Sequence, residues 1–400
     1  MNFRRFASVS ILGALATYGA ACSGKVTIGN LPGDGGSSGS SSSSSSSGSN
    51  PGACGDSSAT ASMVFDAAAQ SFAINLADFA GDGQYLYIAG NAIANFQAGR
   101  VIRVGDGATK EFYNESPASL TSIAVASSRL AYMLTGLDGE VQNVKAGPRD
   151  GGTAAVLQAY PSAIAASPTE ADILVGGSGG IQSAVLRWAP GAEKGETVMS
   201  FGSSFRILHV ALSSAAAVAV VRNEAVATPQ TPFQVVRAPR LAGGGPYEVL
   251  GTQAGVPSSS VAVDATDAYV VAESGNRGEP NPLLRASLTP GAGSEGTFAT
   301  VARVGEVGES FRRVQVDETY VYVEHAKLAT CGGSSPCPAS ITISRVAKGT
   351  GKVEDLKRVA GIELIASSAP RGQFAVDACY LYWLDGQKIY RQPKASLASL

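Results

Sequence analysis

The side chains that most often carry out catalysis are scarce in this sequence. The 400 residues include two histidines, His209 and His325. A histidine can act as a general base or bind a metal, but two are too few for a usual zinc site unless carboxylates complete it. We therefore interpret His209 first as a structural residue and His325 as a surface residue, and we expect neither a metal nor a cofactor.

Three glycine-rich segments match the outline of functional motifs. Gly176-Gly-Ser-Gly-Gly180 has the G-x-S-x-G form of a hydrolase nucleophile, which needs a strand before the serine and a helix after it. The surrounding sequence predicts a loop between strands, so we predict no catalysis by Ser178. Gly81-Asp-Gly83 and Gly105-Asp-Gly107 resemble fragments of calcium sites, but neither extends to a full pattern, and turn formation explains both.

A repeated phrase organises the rest of the chain. An apolar run ends in a small polar residue, a second apolar or aromatic run follows, and the phrase recurs at intervals of 40 to 60 residues. The polar residues are Asp82, Ser127, Ser167, Ser213, Asp264, Asp317 and Asp377. The fifth residues beyond them are Tyr87, Tyr132, Asp172, Val218, Tyr269, Tyr322 and Tyr382. Short strands repeated at this period are typical of a β-propeller.

We predict an all-β fold, a single β-propeller of seven blades with four antiparallel strands each. The polar residue would lie at the turn between the first and second strands, where its oxygen accepts backbone N–H groups. Third strands would end in recurring arginines such as Arg103, at a solvated position. An N-terminal strand, Ser62–Ala67 or Phe72–Leu76, would close the ring. Six or eight blades are the alternatives, because the third and fourth copies lack the tyrosine.

The last copy of the repeat is the most complete. It reads Phe374-Ala-Val-Asp377, Tyr380-Leu-Tyr-Trp383 and Ile389-Tyr-Arg391. This pattern resembles the blades of YWTD, NHL and TolB-type propellers, over the whole folded region. The resemblance implies that the aspartates and tyrosines hold blades together and do no chemistry. It implies no single activity, because these propellers include receptors, lyases, scaffolds and translocation factors.

The first residues have the features of an export signal. Arg4-Arg5 is basic, Phe6 to Tyr18 is apolar but too short to span a bilayer, and Gly19-Ala-Ala21 precedes Cys22. This resembles a bacterial lipoprotein signal over residues 1–21. The resemblance implies that the cysteine is acylated and becomes the mature N-terminus, anchored in the membrane by its lipid. An ordinary secretory peptide cut nearby is the alternative.

Residues 22–56 form a linker between this signal and the predicted propeller of residues 57–400. The stretch 33–52 is almost entirely Gly and Ser, with an unbroken serine run from Ser40 to Ser47. Such a segment buries no apolar surface, so we expect a flexible tether. Ser23 follows the lipidated cysteine where an inner-membrane lipoprotein typically has Asp, which favours an outer-membrane location in the cell envelope.

The charge of the chain excludes one class of partner. Charged residues make up 16% of the sequence and give a formal net charge of −2, so we predict no nucleic-acid surface. Recognition would instead use the polar loops that gather at one face of the ring. The candidate binding residues on or beside these loops are His209, Arg222, Glu273, Asn276, Arg277, Arg312, Arg313 and His325.

These observations lead to two functional hypotheses. In the first, the chain is a lipid-anchored envelope propeller that acts as a binding or scaffold module for a protein or a glycan. In the alternative, the propeller hosts a lyase or hydrolase site at the mouth of its channel. The second requires His209, Arg312, Arg313 and an acidic side chain to converge in one concave pocket.

Four cysteines besides the lipidated one predict two disulfides in an oxidising envelope. Cys331 and Cys337 flank Gly-Gly-Ser-Ser-Pro in what we interpret as one long loop, so they would pair locally. Cys54 would then pair with Cys379 and support the closure of the ring.

A digest of the full chain without reducing agent tests this pairing. We expect mass spectrometry to find one pair of linked peptides that contains Cys54 and Cys379. The bond closes a loop of more than 300 residues, which in the chain-entropy description stabilises the fold by about 6 kcal/mol. Peptides that link Cys54 to any other cysteine contradict the arrangement.

Overall fold

The computed structural model describes residues 59–400 with short gaps. The gaps are 71–73, 93–97, 106, 136–141, 179–181, 227–230, 242, 244–245, 259, 274–277, 290–296, 332–334 and 361–371. The chain divides into two units, Met1–Asn50 and Pro51–Leu400, and every described residue belongs to the second. The predicted signal, Cys22 and the linker lie outside the described residues. None of the described segments is a helix long and apolar enough to cross a membrane.

The described strands form seven antiparallel sheets, which are the blades of a propeller. A first strand, β1 (Ser62–Asp66), precedes blade 1 in the chain. Blade 1 contains β2 (Ile74–Gly81), β3 (Leu86–Ala92), β4 (Gly99–Gly105) and β5 (Ala108–Glu115). Blade 2 contains β6 (Ser119–Val125), β7 (Arg129–Thr135), β8 (Gln142–Pro148) and β9 (Ala155–Ala159). Blade 3 contains β10 (Pro161–Ala166), β11 (Ile173–Ser178), β12 (Ser183–Trp188) and β13 (Glu196–Phe201).

The remaining four blades follow the same order. Blade 4 contains β14 (Phe205–Leu212), β15 (Ala216–Asn223), β16 (Phe233–Pro239) and β17 (Glu248–Gln253). In blade 5 the inner strand is split into β18 (Val256–Pro257) and β19 (Ala262–Val263), which precede β20 (Asp267–Glu273), β21 (Asn281–Ser287) and β22 (Ala299–Val304). Blade 6 contains β23 (Ser310–Val316), β24 (Tyr320–Cys331), β25 (Ser335–Ala347) and β26 (Val353–Ala360). Blade 7 contains β27 (Phe374–Val376), β28 (Tyr380–Asp385) and β29 (Lys388–Pro393).

The ring closes with a strand from the other end of the chain, as the sequence predicted. Strand β1 pairs antiparallel with β29, with Ser62 opposite Arg391 and Asp66 opposite Lys388, and so supplies the outer strand of blade 7. The first of the two candidate closing segments is therefore the correct one. Cys379 is disulfide-bonded, but its pairing with Cys54 stays a prediction because residue 54 lies outside the described part.

The apolar core lies between neighbouring blades. One cluster joins blades 6 and 7 through Tyr322, Phe374 and Trp383. Another joins blades 7 and 1 through side chains that include Phe65 and Phe79. Each blade is covered on both faces, so its second strand is largely buried, and in β3 all seven residues are buried. Burial of each large side chain stabilises the ring by about 2 kcal/mol.

The polar residue of the repeat closes the turn between the first and second strands, which confirms its predicted role. Oδ1 of Asp317 accepts the N–H groups of Thr319 and Tyr320 at 2.9 and 2.8 Å. The same two bonds are accepted by Asp82, Asp264, Asp377 and the hydroxyl of Ser213. The side chain thus satisfies N–H groups that the tight turn leaves without a strand partner.

The second oxygen of the aspartate joins neighbouring blades. In blade 6, Oδ2 of Asp317 accepts bonds from the hydroxyl of Tyr322 at 2.9 Å and from Nζ of Lys394 at 2.8 Å. Lys394 directly follows β29, the third strand of blade 7. We call this set of aspartate, tyrosine and cation a bridging trio. Similar trios join blades 1 and 2 and blades 5 and 6, through Asp82, Tyr87 and Arg149 and through Asp264, Tyr269 and Lys348.

The trio has a defined charge state. Burial is the largest influence on the pKa of Asp317 and raises it, but the hydrogen bond and charge of Lys394 and the backbone N–H groups of Tyr320 and Thr319 together hold the pKa below its ordinary value. Burial and the neighbouring Asp317 raise the pKa of Tyr322. The aspartate is therefore ionised at neutral pH and the tyrosine stays a neutral donor.

Blade 3 has no tyrosine and keeps the contact with a different acid. Asp172, five positions after Ser167, accepts a bond from Nε of Arg240 in blade 4 at 2.9 Å. Arg240 also pairs with Glu170. Arg240 directly follows β16, the same position that Lys394 has after β29. The degenerate third copy is therefore a true blade, and the count of seven is confirmed.

Our alignment of the second copy is wrong by one residue. The turn of blade 2 closes with the N–H of Ala126 bonded to the carbonyl of Arg129, so Ala126 and not Ser127 is the turn residue. Tyr132 then falls on the opposite face of its strand from the other repeat tyrosines. Its hydroxyl donates to Glu115 of blade 1 at 2.7 Å. A shift of one residue in a strand moves a side chain to the other face.

The long loop predicted around Cys331 and Cys337 is mostly a β-hairpin. Strand β24 continues to Cys331 and β25 begins at Ser335. In its register, Cys331 lies opposite Ser335 and Cys337 opposite Ala329. The Cys331–Cys337 disulfide stays a prediction.

Replacement of one cation tests the bridging trio. We expect Lys394→Met to destabilise the full chain by about 2 kcal/mol, because it leaves the Asp317 carboxylate partly buried without its charged partner. The loss should shrink in acid, since a carboxyl with a lowered folded pKa stabilises the fold above its ordinary pKa and loses that effect as pH falls through the folded value. Urea denaturation at neutral and acid pH measures both effects.

Lys352→Met is the matched control for this experiment. Lys352 is 72% exposed and pairs with Glu354 at 2.8 Å. An exposed ion pair contributes about 0.5 kcal/mol or less. Equal losses in the two variants would contradict the role of the trio.

Candidate functional site

Strand direction divides the propeller into two faces. The loops that join a fourth strand to the next first strand and those that join second to third strands share one end of the blades, because neighbouring strands are antiparallel. We call this end the loop face, and the opposite end, where the bridging trios lie, the turn face. Loops held on a rigid scaffold are where binding residues usually occur.

The innermost strands carry a polar position that repeats around the ring. Five of them have a β-bulge, in blades 1, 2, 3, 4 and 6. The residues four positions before the turn residues, just past the bulge where it occurs, are Asp78, Ser122, Ala163, His209, Ser260, Arg313 and Gln373. We call them the inner ring. A bulge re-aims the side chain that follows it, and all of these residues except Ala163 are polar.

One ion pair of the inner ring reaches past a whole blade. Nη2 of Arg313 in blade 6 donates to Oδ1 of Asp78 in blade 1 at 2.6 Å. Nη1 donates to the carbonyl of Phe374 in blade 7 at 2.7 Å on the way. Oδ2 of Asp78 accepts the hydroxyl of Ser122 and the N–H of Ile123 in blade 2, both at 3.1 Å. Four consecutive blades are thus connected at the junction where the ring closes.

Glu324 of β24 extends this connection into the interior. It is fully buried, and its Oε2 accepts the N–H of Gln373 at 2.5 Å. Burial raises the pKa of Glu324 to about 7, although the charges of Arg312 and Arg313 lower it. Oε1 has no hydrogen-bond partner among the described residues. Such a pKa is typical of catalytic acids, but this carboxyl is sealed from solvent and has no access to a substrate, so we assign it no catalytic role.

The residues expected to form a catalytic pocket do not form an open one within the described structure. Arg313 contacts Asp78 inside the ring, and the charge of Arg312 acts on Glu324, in a buried setting. His209 has the equivalent inner-ring position in blade 4, two blades away. None of these residues lines either of the two cavities described next.

A cavity of about 510 Å³ lies where blade 5 meets blade 6. We call it the histidine cavity; its lining includes Arg303, Glu309, His325, Lys352, Asp355 and Arg358. Nδ1 of His325 lies 2.7 Å from Glu309 Oε2, and Nε2 lies 2.8 Å from Ser344 Oγ. The expectation that His325 is a surface residue is wrong, since the side chain is 5% exposed.

The distances in this chain of bonds match those of a serine hydrolase triad, but the chemistry does not. The hydroxyl of Ser344 donates to Asp355 at 2.6 Å, so it does not give its proton to His325. Ser344 is also fully buried, out of reach of a substrate carbonyl. A nucleophile needs both a base that takes its proton and access to substrate. This series of hydrogen bonds therefore has a structural role, because it joins strands β24, β25 and β26 of blade 6 at the wall of the cavity.

A second cavity, of about 270 Å³, opens on the loop face between blades 3 and 4. We call it the serine cavity, because four of its lining residues are Ser162, Ser183, Ser203 and Ser204. Tyr160, Gln182 and Phe205 complete the uncharged polar and aromatic part of the wall. Arg206 and Glu224 form an ion pair at 3.4 Å at its edge. None of these residues stood out in the sequence, since serines in turns are common.

Among the predicted binding residues, Arg222 lies beside the serine cavity. Its Nη2 is 3.5 Å from Oε1 of the cavity residue Glu224. Glu273 instead links blades, since its Oε1 accepts the N–H of Phe311 at 3.2 Å and burial raises its pKa. Asn276 and Arg277 lie outside the described residues.

The glycine motif around Ser178 also has a structural explanation. Gly176, Gly177 and Ser178 end strand β11 and do not lie in a loop, as the sequence had suggested. A Cβ at Gly177 would lie 2.7 Å from the carbonyl oxygen of Tyr160. Glycine at this position lets the chain before β10 approach β11.

No group of three or more histidine, cysteine or acidic side chains that could hold a metal occurs among the described residues.

Comparison with known proteins identifies the fold and no family. No protein-family model matches the chain, and no curated protein sequence matches it. The resemblance to YWTD, NHL and TolB-type propellers therefore stays a prediction.

Solved structures with the same fold have diverse roles. The propeller domain of a trilobed protease from Pyrococcus furiosus is 11% identical with a TM-score of 0.56, and the match covers 82% of this chain and 98% of that one. Hydrazine synthase from Kuenenia stuttgartiensis is 12% identical with a TM-score of 0.51, over 80% and 96% of the chains. Prolyl oligopeptidase B from Galerina marginata is 11% identical with a TM-score of 0.51, over 78% and 47%.

These identities establish the β-propeller fold alone. The protease domain is described as having an open velcro topology, whereas β1 and β29 are paired here.

The buried carboxyl of Glu324 predicts a pH dependence. Between the ordinary pKa of 4.5 and the folded value of about 7, the folded chain holds a proton that the unfolded chain has lost. The free energy of unfolding should therefore fall as pH rises through this window, by about 3 kcal/mol from this group. We expect Glu324→Gln to remove that part of the fall, so its stability relative to the natural chain should increase with pH.

Urea denaturation at several pH values between 4.5 and 8 measures this difference. Glu354→Gln is the control, because hydrogen bonds from Lys352 and Arg345 lower the pKa of Glu354, so this carboxyl stays ionised across the whole pH range. Identical pH profiles for Glu324→Gln and the natural chain would show that the carboxyl is ionised in the folded state.

Proposed function

We propose that this chain is a lipid-anchored β-propeller of the bacterial cell envelope that binds a protein or a glycan through its loop face. The signal-like residues 1–21, Cys22 and the Gly/Ser linker support the anchor and an outer-membrane location. The linker gives the propeller reach from the lipid surface. The predicted disulfides, Cys54–Cys379 and Cys331–Cys337, suit an exported protein.

The serine cavity is the observation that carries the binding proposal. It is open on the loop face, and its walls come from strands and connections of two rigid blades. The hydroxyls of Ser203 and Ser204 form no hydrogen bond within the described part of the structure, so they can bond to a ligand without breaking an existing contact. Unused hydrogen-bonding groups in a concave site favour binding.

The alternative, a lyase or hydrolase, would place its reaction in the histidine cavity. That cavity brings a histidine together with Arg303 and the acid Glu309. Both ring nitrogens of His325 are already engaged, however, by Glu309 and Ser344. A general base needs a free nitrogen within reach of its substrate, so binding remains the first proposal.

Affinity purification of the full chain from envelope extract tests the proposal. We expect a protein or glycan to co-purify with the natural chain and to be lost from Ser204→Arg, in which a long charged side chain fills the serine cavity. Val307→Arg is the control, since Val307 is exposed in the β22–β23 connection of the same face. Cys22→Ala should release the chain from the membrane fraction and keep its partner.

Capture that is equal in Ser204→Arg and the natural chain would contradict binding through this cavity. Membrane attachment that survives Cys22→Ala would contradict the lipid anchor.

A further inference from the structure

We propose that the serine cavity binds the terminal sugar of a neutral glycan. This inference rests on the proposed binding function and narrows its ligand to one chemical class. Three features of the cavity carry it: the balance of charge in the walls, the arrangement of hydroxyl groups, and an exposed tyrosine on a strained backbone.

The charge of the cavity matches a neutral ligand. The charged lining residues are Arg206 and Glu224, one of each sign, and they pair with each other at 3.4 Å. Among the lining residues neither sign of charge is in excess, and Arg222, whose Nη2 lies 3.5 Å from Oε1 of Glu224, is outside the lining. The histidine cavity differs, because several acids and bases line it. An uncompensated charge is what a site for ionic ligands needs, so the serine cavity favours an uncharged one.

The polar groups of the cavity match a ligand rich in hydroxyls. A serine hydroxyl has one donor and two acceptor sites. Ser162 donates to the backbone carbonyl of Gly176 at 3.2 Å, which leaves its acceptor sites for a ligand, whereas Ser183 is buried and donates to the carbonyl of Phe205. The hydroxyls of Ser203 and Ser204 have both their donor and their acceptor sites free within the described part of the chain. Each hydroxyl of a sugar is both a donor and an acceptor, so a sugar can bond to serines with free acceptor sites and to serines with a free donor.

Tyr160 provides the apolar surface against which a sugar ring packs. Its side chain is 58% exposed and lines the cavity. Its backbone has φ of 60°, the left-handed conformation, which among the described residues no other non-glycine residue adopts. Such strain persists only where surrounding structure holds it, often at ligand sites. The close approach of Gly177 to the Tyr160 carbonyl holds this segment in place.

The size of the cavity sets the part of the glycan that enters. A volume of about 270 Å³ is just below the usual range of ligand sites, which begins at about 300 Å³, so the cavity admits a terminal saccharide unit and leaves the rest of the glycan outside. Its wall comes from blades 3 and 4 and from the β9–β10 and β13–β14 connections. The geometry is therefore preformed, which reduces the entropy lost on binding.

Ligand-observed NMR with free monosaccharides tests the proposal on the full chain. The probes are the methyl glycosides of glucose, galactose, mannose and N-acetylglucosamine, with glucuronic acid as the charged counterpart. We expect at least one neutral sugar to bind and glucuronic acid to bind less. Tyr160→Asn should weaken binding about tenfold or more, because it removes the ring. Asparagine tolerates the left-handed backbone, so this variant keeps the local fold.

Ser203→Ala combined with Ser204→Ala is a second variant, which removes the unbonded hydroxyls and leaves the tyrosine. We expect the affinity for the bound sugar to fall about tenfold in this variant. The affinity should fall less for a sugar whose epimeric hydroxyl does not contact these serines. Val307→Ala on the same face is the control and should bind like the natural chain. Circular dichroism melting verifies that each variant is folded.

The outcomes separate this inference from the proposed function. Absence of binding by all four neutral sugars, or binding unchanged in Tyr160→Asn, overturns the saccharide site. If envelope purification then still yields a protein that Ser204→Arg loses, the binding function stands and its ligand is a protein. Stronger binding of glucuronic acid than of the neutral sugars also overturns the inference.

Discussion

The junction at which the ring closes is the contact on which the rest of the propeller depends. Each blade buries its two faces only against its neighbours, so an open junction would expose two apolar faces at once. Two contacts close this junction, one at the outer edge of the ring and one near its centre. On the outside β1 pairs with β29, and on the inside Arg313 reaches past blade 7 to Asp78. A buried ion pair is costly to break, which makes the inner contact specific to the closed ring.

The distribution of polar groups separates stability from binding. On the turn face, carboxylates such as Asp317 are already bonded to backbone, tyrosine and cation. Inside the ring, Asp78 uses both of its oxygens in contacts between blades. These acids have no capacity left for a ligand. The serine cavity differs because Ser203 and Ser204 keep unused bonding capacity on an open face, in that part of the chain that the structure describes.

The sequence predicted the fold well because the repeat is local. The Asp317 turn and the closing strand β1 follow from short segments whose pattern is visible along the chain. Contacts between repeats were missed. Lys394 binds an acid 77 positions away, and no spacing rule connects the two. The second copy was misaligned by one residue because Ser127, beside the true turn residue Ala126, fits the sequence pattern equally well. The site was missed because Tyr160 is distinguished by its backbone conformation, which the residue type does not reveal.

The pairing of β1 with β29 also dictates the order of assembly. Ser62 is among the first residues of the propeller to be synthesised and Arg391 among the last, yet the two lie opposite each other. Blades 1 to 6 have their strands contiguous in sequence and can form as they emerge, but blade 7 waits for the end of the chain. Contacts at such separation form slowly, and unpaired strand edges invite aggregation. A propeller of this kind needs protection from self-association until the strands of blade 7 have been synthesised.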